Sequence, residues 1–149
     1  PILWKTMRDL LWSVDTLKGF LSGIIKDSFH EDDNLDEFIE DWLTHEELTF
    51  GLDCISIGFL EKKPCCLVVA QVEHQTGWSR LSYMGILPEF RNKGLGKWVH
   101  RHGFSEMKKQ GGKLYQGGTH LKNTAMIKLF EQHDCEKLWE MEDWLYETE

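Results

Sequence analysis

The chain has 149 residues, of which 41% are hydrophobic and 12% aromatic, and its formal net charge is −8. This composition predicts a globular domain with a core of its own and excludes a disordered chain. No run of about 18 apolar residues and no signal-peptide pattern occurs, so we expect neither a membrane span nor secretion.

Charge is distributed unevenly along the sequence. Residues 27–47 include ten acidic residues and no Lys or Arg, and residues 131–149 include eight acidic residues and one Lys. Between them, residues 80–128 carry ten Lys or Arg against two acidic residues. The basic segment indicates a polyanionic ligand, the acidic flanks hint at a cationic acceptor, and the overall acidity disfavours nucleic acid. The alternative interpretation is that these charged segments are ordinary solvent-exposed faces.

The four cysteines, Cys54, Cys65, Cys66 and Cys135, lack the spacing of a disulfide framework or a zinc site. We therefore expect reduced thiols, a cytoplasmic protein and no metal. Cys65 and Cys66 are predicted to point to opposite faces of one strand. The sequence begins at Pro1 without a methionine, which suggests a piece of a longer or tandem protein.

Apolar residues at helical spacing predict two helices in the first third of the chain. Asp15 is expected to cap the first of them. Asn34, with Glu37 three residues later, is a start signal for the second. Residues 2–12 fit either a short strand or the start of a helix. The apolar faces are Leu17, Phe20, Leu21, Ile24 and Ile25 in the first helix, and Leu35, Phe38, Ile39, Trp42 and Leu43 in the second.

From residue 54 the apolar residues alternate with a period of two, which is typical of strands. We predict strands over 54–60 and 65–72 with a turn at 61–64, and then a turn at 74–78. The strand that follows ends before Pro88, and Leu81, Tyr83 and Leu87 are predicted to share one of its faces. Gly85 within it predicts a bulge or a close approach of the backbone to a ligand.

A glycine-rich segment separates this strand from the next predicted helix, and it reads Arg91-Asn92-Lys93-Gly94-Leu95-Gly96-Lys97. Glycines let several backbone N–H groups converge at a helix N-terminus, where the dipole favours an anion by ~0.3–1 kcal/mol. Three cationic side chains suit a diphosphate better than a single carboxylate. Val99 stands where a dinucleotide-binding fingerprint needs its third glycine, and Trp98 stands where a P-loop needs Ser or Thr.

The last third of the chain predicts three further elements. The helix after the glycine-rich segment ends at Gly111-Gly112, which is a C-cap signal. A fifth strand is predicted over 113–119, and Asn123 is expected to cap a helix that includes Phe130. Residues 137–147 alternate aromatic and acidic residues and predict one bent strand or a terminal pair.

The pattern Pro88-x-x-Arg91-x-x-Gly94-x-Gly96, between a strand and a helix, resembles the acyl-CoA-binding signature of the GNAT superfamily of N-acyltransferases. Residues 123–131, N-T-A-M-I-K-L-F-E, are similar to the C-terminal helix of that superfamily. The order of elements agrees over nearly the whole chain. The resemblance implies a single α+β domain over 1–149. Its mixed, mostly antiparallel sheet would have six or seven strands and about four flanking helices, and would be splayed between the fourth and fifth strands.

The resemblance also implies direct transfer of an acetyl or other acyl group from acyl-CoA to a primary amine of a small molecule or protein. Acetyl-CoA or a related acyl-CoA would be the co-substrate, without a metal. Its diphosphate would bind the backbone of 91–97, with charge from Arg91 and Lys93. The N–H of Ile86 or Leu87 would bind the thioester oxygen as negative charge develops. Asn123 and Phe130 of the C-terminal helix would complete the cofactor site.

The sequence departs from the superfamily in the residues that handle protons. The tyrosine that commonly protonates the leaving thiolate falls on Phe130, and the carboxylates of relatives fall near Arg80 and Gly118. Glu73, at the end of the third strand, is our candidate base. His74, Tyr115 and His120 are the other candidates, and ordinary solvated side chains are the competing interpretation for all four.

Two alternatives remain open from the sequence. The first is a degenerate GNAT-like domain that binds acyl-CoA without turning it over, as a sensor or as one half of a tandem protein. The second is a phosphate-binding fold unrelated to coenzyme A. The acceptor, the acyl length and the oligomeric state, with a homodimer among the options, also stay open.

Overall fold

A five-stranded sheet lies at the centre of the structure, a computed structural model that describes residues 1–26, 28, 33–138 and 140. The strands β1 (Leu3–Thr6), β2 (Ile55–Leu60), β3 (Lys63–Val72), β4 (Trp78–Ile86) and β5 (Leu114–Tyr115) follow one another in that order across the sheet. All neighbours are antiparallel except β4 and β5, which are parallel. The mixed sheet confirms the predicted fold class, with five strands among the described residues instead of six or seven. The strand predicted over 137–147 falls mostly outside the described residues.

Five helices accompany the sheet in the described part of the chain, one more than expected. They are α1 (Met7–Leu10), α2 (Val14–Ile25), α3 (Leu35–Thr44), α4 (Gly96–Lys109) and α5 (Thr124–Gln132). The ambiguous segment 2–12 contains both a strand and a helix, because Thr6 ends β1 and at the same time caps α1. None of the described helices has the length and apolar composition needed to cross a bilayer.

Side-chain caps determine where most of these helices begin. The cap of α2 is Ser13, so Asp15, which was predicted as the cap, lies inside the first turn. Its carboxylate still favours the helix because it lies near the positive end of the dipole. Asn34 and Asn123 cap α3 and α5 as predicted. The start of α4 at Gly96 has no side-chain cap.

Helices cover both faces of the sheet. On one face, α2 and α3 pack against β2, β3 and β4, and on the other face α4 packs against β3 and β4. The first core includes Leu17, Leu21, Ile24, Ile39, Trp42, Ile55, Ile57, Leu67, Val69 and Tyr83. The second face includes Cys65, Cys66, Val68, Ala70, Val72, Val99 and Met107.

A bulge in β4 changes the faces that simple alternation predicts. Leu81 and Tyr83 pair with Ala70 and Val69, which are neighbours in β3, so Ser82 is an extra residue. As a result Leu81 packs on the α4 side and Tyr83 on the α2 side, and the prediction that they share a face is wrong.

Gly85 is not the bulge residue, because it pairs in register with Leu67. A Cβ at this position would lie 2.5 Å from Cγ2 of Ile24 and 2.9 Å from the hydroxyl of Tyr83. The close approach at Gly85 is therefore to side chains of the core beneath α2.

A second bulge lies at the start of β3. Gly58 pairs with Cys66 and Phe59 with Pro64, so Cys65 is the extra residue. Both cysteines consequently enter the core beneath α4, where their Sγ atoms are 3.7 Å apart. The prediction that they point to opposite faces is wrong for this reason, and Pro64 belongs to the strand instead of the turn.

Candidate functional site

The sheet opens between β4 and β5. Only two residue pairs join these strands, Trp78 with Leu114 and Ser79 with Tyr115. The last bond between them runs from the N–H of Gln116 to the carbonyl of Ser79, at 3.1 Å. From Arg80 to Ile86, β4 has no partner on this side within the described residues. The predicted opening between the fourth and fifth strands is thus present, because β5 ends after Tyr115 instead of continuing to residue 119.

The backbone of Ile86 faces this opening. The N–H of Leu87 donates to the carbonyl of Cys65 at 2.8 Å, and Ile86 pairs with Cys66. Backbone groups of successive residues point to opposite edges of a strand, so the N–H of Ile86 points away from β3. Of the two nitrogens predicted to bind a thioester oxygen, that of Leu87 is already used in the sheet and that of Ile86 is directed to the opening.

The loop between β4 and α4 presents a run of backbone N–H groups without acceptors. The N–H of Arg91 donates to Pro88 at 3.2 Å, and the next donor in the backbone is Trp98, to Leu95 at 3.0 Å. The six N–H groups of residues 92–97 donate to no acceptor in the described parts of the chain. Positive φ angles at Asn92 (+60°) and Gly94 (+75°) turn the backbone here, as in anion-binding nests.

Arg91 ties this loop to the rest of the fold. Its Nε donates to the carbonyl of Ile86 at 3.0 Å, and its Nη2 donates to the carbonyl of Ile24 at 2.6 Å. The guanidinium therefore joins β4 and α2, and its predicted contact with a diphosphate would compete with these two bonds. Lys93 and Lys97 are exposed, and Lys93 Nζ lies 5.6 Å from the ring centroid of Phe90. They are the cationic side chains that remain available to an anion at the loop.

The helix α5 lies against the start of α4. A Cβ at Gly96 would stand 3.4 Å from Leu129, so α5 contacts the end of the loop directly. Asn123 uses its side chain in the cap and in a 3.1 Å bond to the hydroxyl of Thr119. The ring of Phe130 lies next to Gly117, where a Cβ would be 2.9 Å from it. Phe130 therefore borders the point where the chain leaves β5.

Glu73 does not lie with the other predicted residues. Its N–H donates to the carbonyl of Trp78 at 2.8 Å, which places it beside the first residue of β4, whereas Ile86 is the last. At ~3.3 Å per residue the two are roughly 25 Å apart along the sheet. Among the other proton-handling candidates, His74 and His120 are exposed in turns, and Tyr115 lies on β5 beside the opening.

A cluster of side chains around the buried His100 was not predicted from the sequence. His100 on α4 is 0% exposed, and its Nδ1 lies 3.0 Å from Nδ1 of His133. Its Nε2 lies 3.4 Å from the hydroxyl of Tyr115. Burial, and then the charge of His133, lower the pKa of His100 to about 4, so the ring is neutral at pH 7. The sequence does contain a signal for the burial of His100. It lies between Val99 and Gly103, which belong to the buried face of α4.

A separate cleft lies away from the opening. A cleft of about 660 Å³ separates the outer side of α4 from β1 and β2. It includes Leu95 of the loop but no residue of β4, so it is separate from the opening. Its other main walls are Ile2, Trp4, Leu60, Trp98, Arg101 and His102. No group of three or more His, Cys, Asp or Glu within the described ranges could hold a metal ion.

A mixed sheet that opens between β4 and β5 defines the fold of this domain. Solved structures with this fold include the ribosomal-protein-S18-alanine N-acetyltransferase from Escherichia coli. It is 15% identical, with a TM-score of 0.66, and the match covers 89% of this chain and 76% of that chain. AAC(6')-Iy, in complex with the bisubstrate analog CoA-S-monomethyl-acetylneamine, is 16% identical with a TM-score of 0.65 and 99% of each chain covered. A transcriptional regulator from Bacillus halodurans C-125 is 9% identical with a TM-score of 0.71, and 98% and 100% are covered.

A family model described as Acetyltransferase (GNAT) family matches residues 4–134. The chain therefore belongs to the GNAT acetyltransferase family. No curated protein matches the sequence.

Proposed function

We propose that the protein is an N-acyltransferase that moves an acetyl or related acyl group from acyl-CoA to a primary amine. The observation that carries this proposal is the run of six unpaired N–H groups, residues 92–97, at the end of the opening beside β4. Coenzyme A contains a diphosphate joined to an extended amide-containing arm. The unpaired N–H groups of the loop match the diphosphate, and the open edge of β4 matches the arm. Aminoglycoside N-acetyltransferase AAC(6')-Iy has been solved with CoA, and N-acetylglutamate synthase from Neisseria gonorrhoeae with coenzyme A and N-acetyl-glutamate.

In this proposal each part of the site has a separate task. The backbone of 92–97, with Lys93 and Lys97, binds the diphosphate. The arm runs along the free edge of β4, and the N–H of Ile86 donates to the thioester oxygen as the amine attacks the carbonyl carbon. Losing one such donor typically costs about 3–4 kcal/mol in the barrier, and alignment of amine and thioester supplies roughly 7–11 kcal/mol. Arg91 holds the loop against β4 and α2.

The acceptor is proposed only as a primary amine. The acidic residues of α3 support a cationic acceptor, but two of them are already paired with protein cations. Asp36 lies 2.8 Å from Lys18, and Asp41 lies 3.3 Å from Arg80. A cytoplasmic location, a single domain over the whole chain and a homodimer remain predictions from the sequence.

A second candidate is a domain that binds acyl-CoA without turning it over. Phe130 carries no exchangeable proton, and Glu73 is roughly 25 Å from Ile86 at ~3.3 Å per strand residue. A missing general acid and base would cost about 10²–10⁴-fold in rate, which slows the reaction without forbidding it.

Two measurements separate these candidates. Calorimetry with acetyl-CoA tests binding, and a thiol reagent tests release of CoA with a panel of polyamines, aminoglycosides, amino acids and peptides. Binding together with release above the buffer rate for at least one amine supports the transferase. Binding without any release supports the second candidate, and the absence of binding would remove both.

A further inference from the structure

The cleft between α4 and the strands β1 and β2 has the size of a small-molecule site. Its volume of about 660 Å³ lies within the usual range of such sites, roughly 300–1,000 Å³. One wall is a face of α4, where Trp98, Arg101 and Ser105 follow one another at helical spacing. The opposite wall includes the apolar side chains of Ile2 and Leu60. The site proposed above for acyl-CoA does not fill this cleft, because no residue of β4 lines it.

Aromatic rings form much of the surface of the cleft. The ring of Trp98 is 54% exposed, although it is a large apolar side chain. Across the cleft, the rings of Trp4 and His102 are stacked in parallel, with their centroids 3.8 Å apart. Burial lowers the pKa of His102 to about 4, so this ring is neutral at pH 7. The cleft therefore presents flat, uncharged rings, against which a planar ligand can stack.

Arg101 supplies the charge of the cleft. Among the described residues that line it, Arg101 has the only side chain that is charged at pH 7. Its guanidinium lies 5.0 Å from the ring centroid of Trp98 and forms no ion pair within the described ranges. Glu106, on the same helix, lies 3.6 Å from His102 and 3.1 Å from Lys109, and it does not line the cleft. The N–H groups of the guanidinium are therefore available to an anion.

These groups match one kind of anion better than others. A single guanidinium pairs with both oxygens of one carboxylate. A phosphate carries more charge, and the cleft has no second cation and no run of backbone N–H groups such as the one at 92–97. The walls otherwise offer few polar groups, the hydroxyl of Ser105 among them. A sugar or a purine would leave several of its polar atoms unpaired here, which costs free energy.

We propose that the cleft binds a small aromatic carboxylate, with its ring against Trp98 and Trp4 and its carboxylate on Arg101, and that the bound molecule steadies the loop 92–97 through Leu95. Leu95 lines the cleft, while its own N–H is one of the six unpaired groups of the loop. Its carbonyl accepts from Trp98 and Val99, at 3.0 Å each. A ligand packed on Leu95 therefore restricts the loop, so the aromatic acid and acyl-CoA should favour each other's binding. This coupling rests on the proposed function, whereas the site itself does not.

The first test compares three probes by calorimetry with the wild-type protein at pH 7. Indole-3-acetate has a ring and a carboxylate, indole-3-acetamide has the same ring without the charge, and acetate has the charge without the ring. We expect the amide to bind at least about tenfold more weakly than the acid, a difference of about 1.4 kcal/mol, and acetate not to bind at millimolar concentration. Equal affinities of the acid and the amide, or no binding of the acid, would overturn the proposal.

The second test removes the charge of the cleft. Arg101 is exposed, so Arg101→Gln should leave the fold intact. The variant should bind indole-3-acetate about tenfold more weakly and keep its affinity for the amide within about twofold. Lys108→Gln is the matched control, because Lys108 is an exposed cation of the same helix that does not line the cleft. Equal losses in the two variants would mean general attraction of an anion and would overturn the assignment to Arg101.

A third measurement locates the acid without any variant. In an isotope-labelled wild-type protein, the indole N–H signals of Trp4 and Trp98 should shift when indole-3-acetate is added. The signals of Trp12 and Trp42, which pack in the core on the α2 and α3 side of the sheet, should stay unchanged. Shifts at Trp12 or Trp42 without shifts at Trp4 and Trp98 would place the acid elsewhere and contradict the proposal.

Titration with acetyl-CoA tests the coupling through Leu95. Saturating indole-3-acetate should raise the affinity for acetyl-CoA by about threefold, and saturating acetyl-CoA should raise the affinity for the acid by the same factor. Competition between the two would place the acid on the loop 92–97 and overturn the proposal. Unchanged affinities would overturn the role of Leu95. A protein that binds the acid in the cleft but no acetyl-CoA would instead remove the proposed function and leave the cleft site standing.

Discussion

At the scale of single residues, we expect Gly94 to decide whether the loop can bind an anion. Its φ of +75° is strained for other residues, and the space where a side chain would stand is empty. Gly94→Asp adds a negative charge among the N–H groups of 92–97. We expect coenzyme A affinity to fall tenfold or more, at least about 1.4 kcal/mol, in a calorimetric titration.

Gly111 provides the matched control for this substitution. It has a φ of +87°, also has no atom within 4 Å of an added Cβ, and lies at the opposite end of α4. Gly111→Asp therefore introduces the same charge and a similar backbone strain of ~1–2 kcal/mol, far from the loop. Its affinity should stay within about twofold of the wild type. Equal losses in both variants would mean that the effect comes from stability and not from the anion site.

The loop and two of the helix caps could be predicted from the sequence, because both kinds of feature depend on residues that are close together in the chain. Gly94, Asn34 and Asn123 act through backbone groups one to three residues away. The contacts of Arg91 and the position of Glu73 could not be predicted in this way, because their partners are distant in sequence and are brought together only by the fold. Arg91 bonds carbonyls on β4 and α2, and Glu73 lies beside the start of β4 because β3 and β4 are antiparallel.

At the scale of elements, the contact between α2 and β4 depends on the missing side chain of Gly85. A Cβ there would be 2.5 Å from Cγ2 of Ile24. We expect Gly85→Ala to destabilise the protein by about 1–3 kcal/mol through overpacking, measured by urea unfolding. Combining it with Ile24→Ala should cost less than the sum of the two single changes, by roughly 1 kcal/mol or more.

Gly19 in α2 is the control for a glycine-to-alanine change without a clash. It is exposed and has no atom within 4 Å of an added Cβ. Gly19→Ala should therefore stabilise the helix by about 0.5–1 kcal/mol. Strict additivity of Gly85→Ala and Ile24→Ala would show that the two elements do not meet in this way.

Helices and strands could be predicted where apolar residues recur with a regular period. The two bulges are places where the period of the strand is interrupted. One extra residue at Ser82 and one at Cys65 reverse the faces of the residues that follow, and neither leaves a signal in hydrophobicity. The length of β5 also could not be predicted from the sequence. Residues 113–119 have strand composition, but pairing stops after Tyr115 as the chain diverges from β4. In α4, the apolar side chain of Trp98 is 54% exposed, whereas the polar side chain of His100 is buried.

At the scale of the whole molecule, the His100 cluster joins the last third of the chain to the sheet. α4 covers β3 and β4, and His100 on its flank contacts Tyr115 of β5 and His133 after α5. The position of α5 over the loop at Gly96 therefore depends on a buried, neutral histidine. We therefore expect the fold to be sensitive to acid.

Stability should fall as the pH drops from about 6.5 to about 4, in part because of His100. Burial, and then His133, lower its pKa from 6.5 to about 4 in the folded protein. Between these values the unfolded chain binds a proton that the folded chain does not, so acid favours unfolding. At about 1.4 kcal/mol per pKa unit the contribution is a few kcal/mol, fully present above pH 6.5 and lost by about pH 4. His102, whose pKa burial also lowers to about 4, adds a similar dependence.

The variant His100→Gln isolates the first contribution, because glutamine does not titrate. We expect it to be less stable than the wild type at pH 7, since the bonds to Tyr115 and His133 are disturbed. The difference should shrink as pH falls, because the wild type loses stability through His100 and the variant does not. Urea unfolding at pH 7, 6, 5 and 4 measures both slopes, and the carboxylates contribute equally to the two proteins. Parallel stability curves over this range would show that His100 accepts a proton in the folded state without disturbing the contact between α4, β5 and α5.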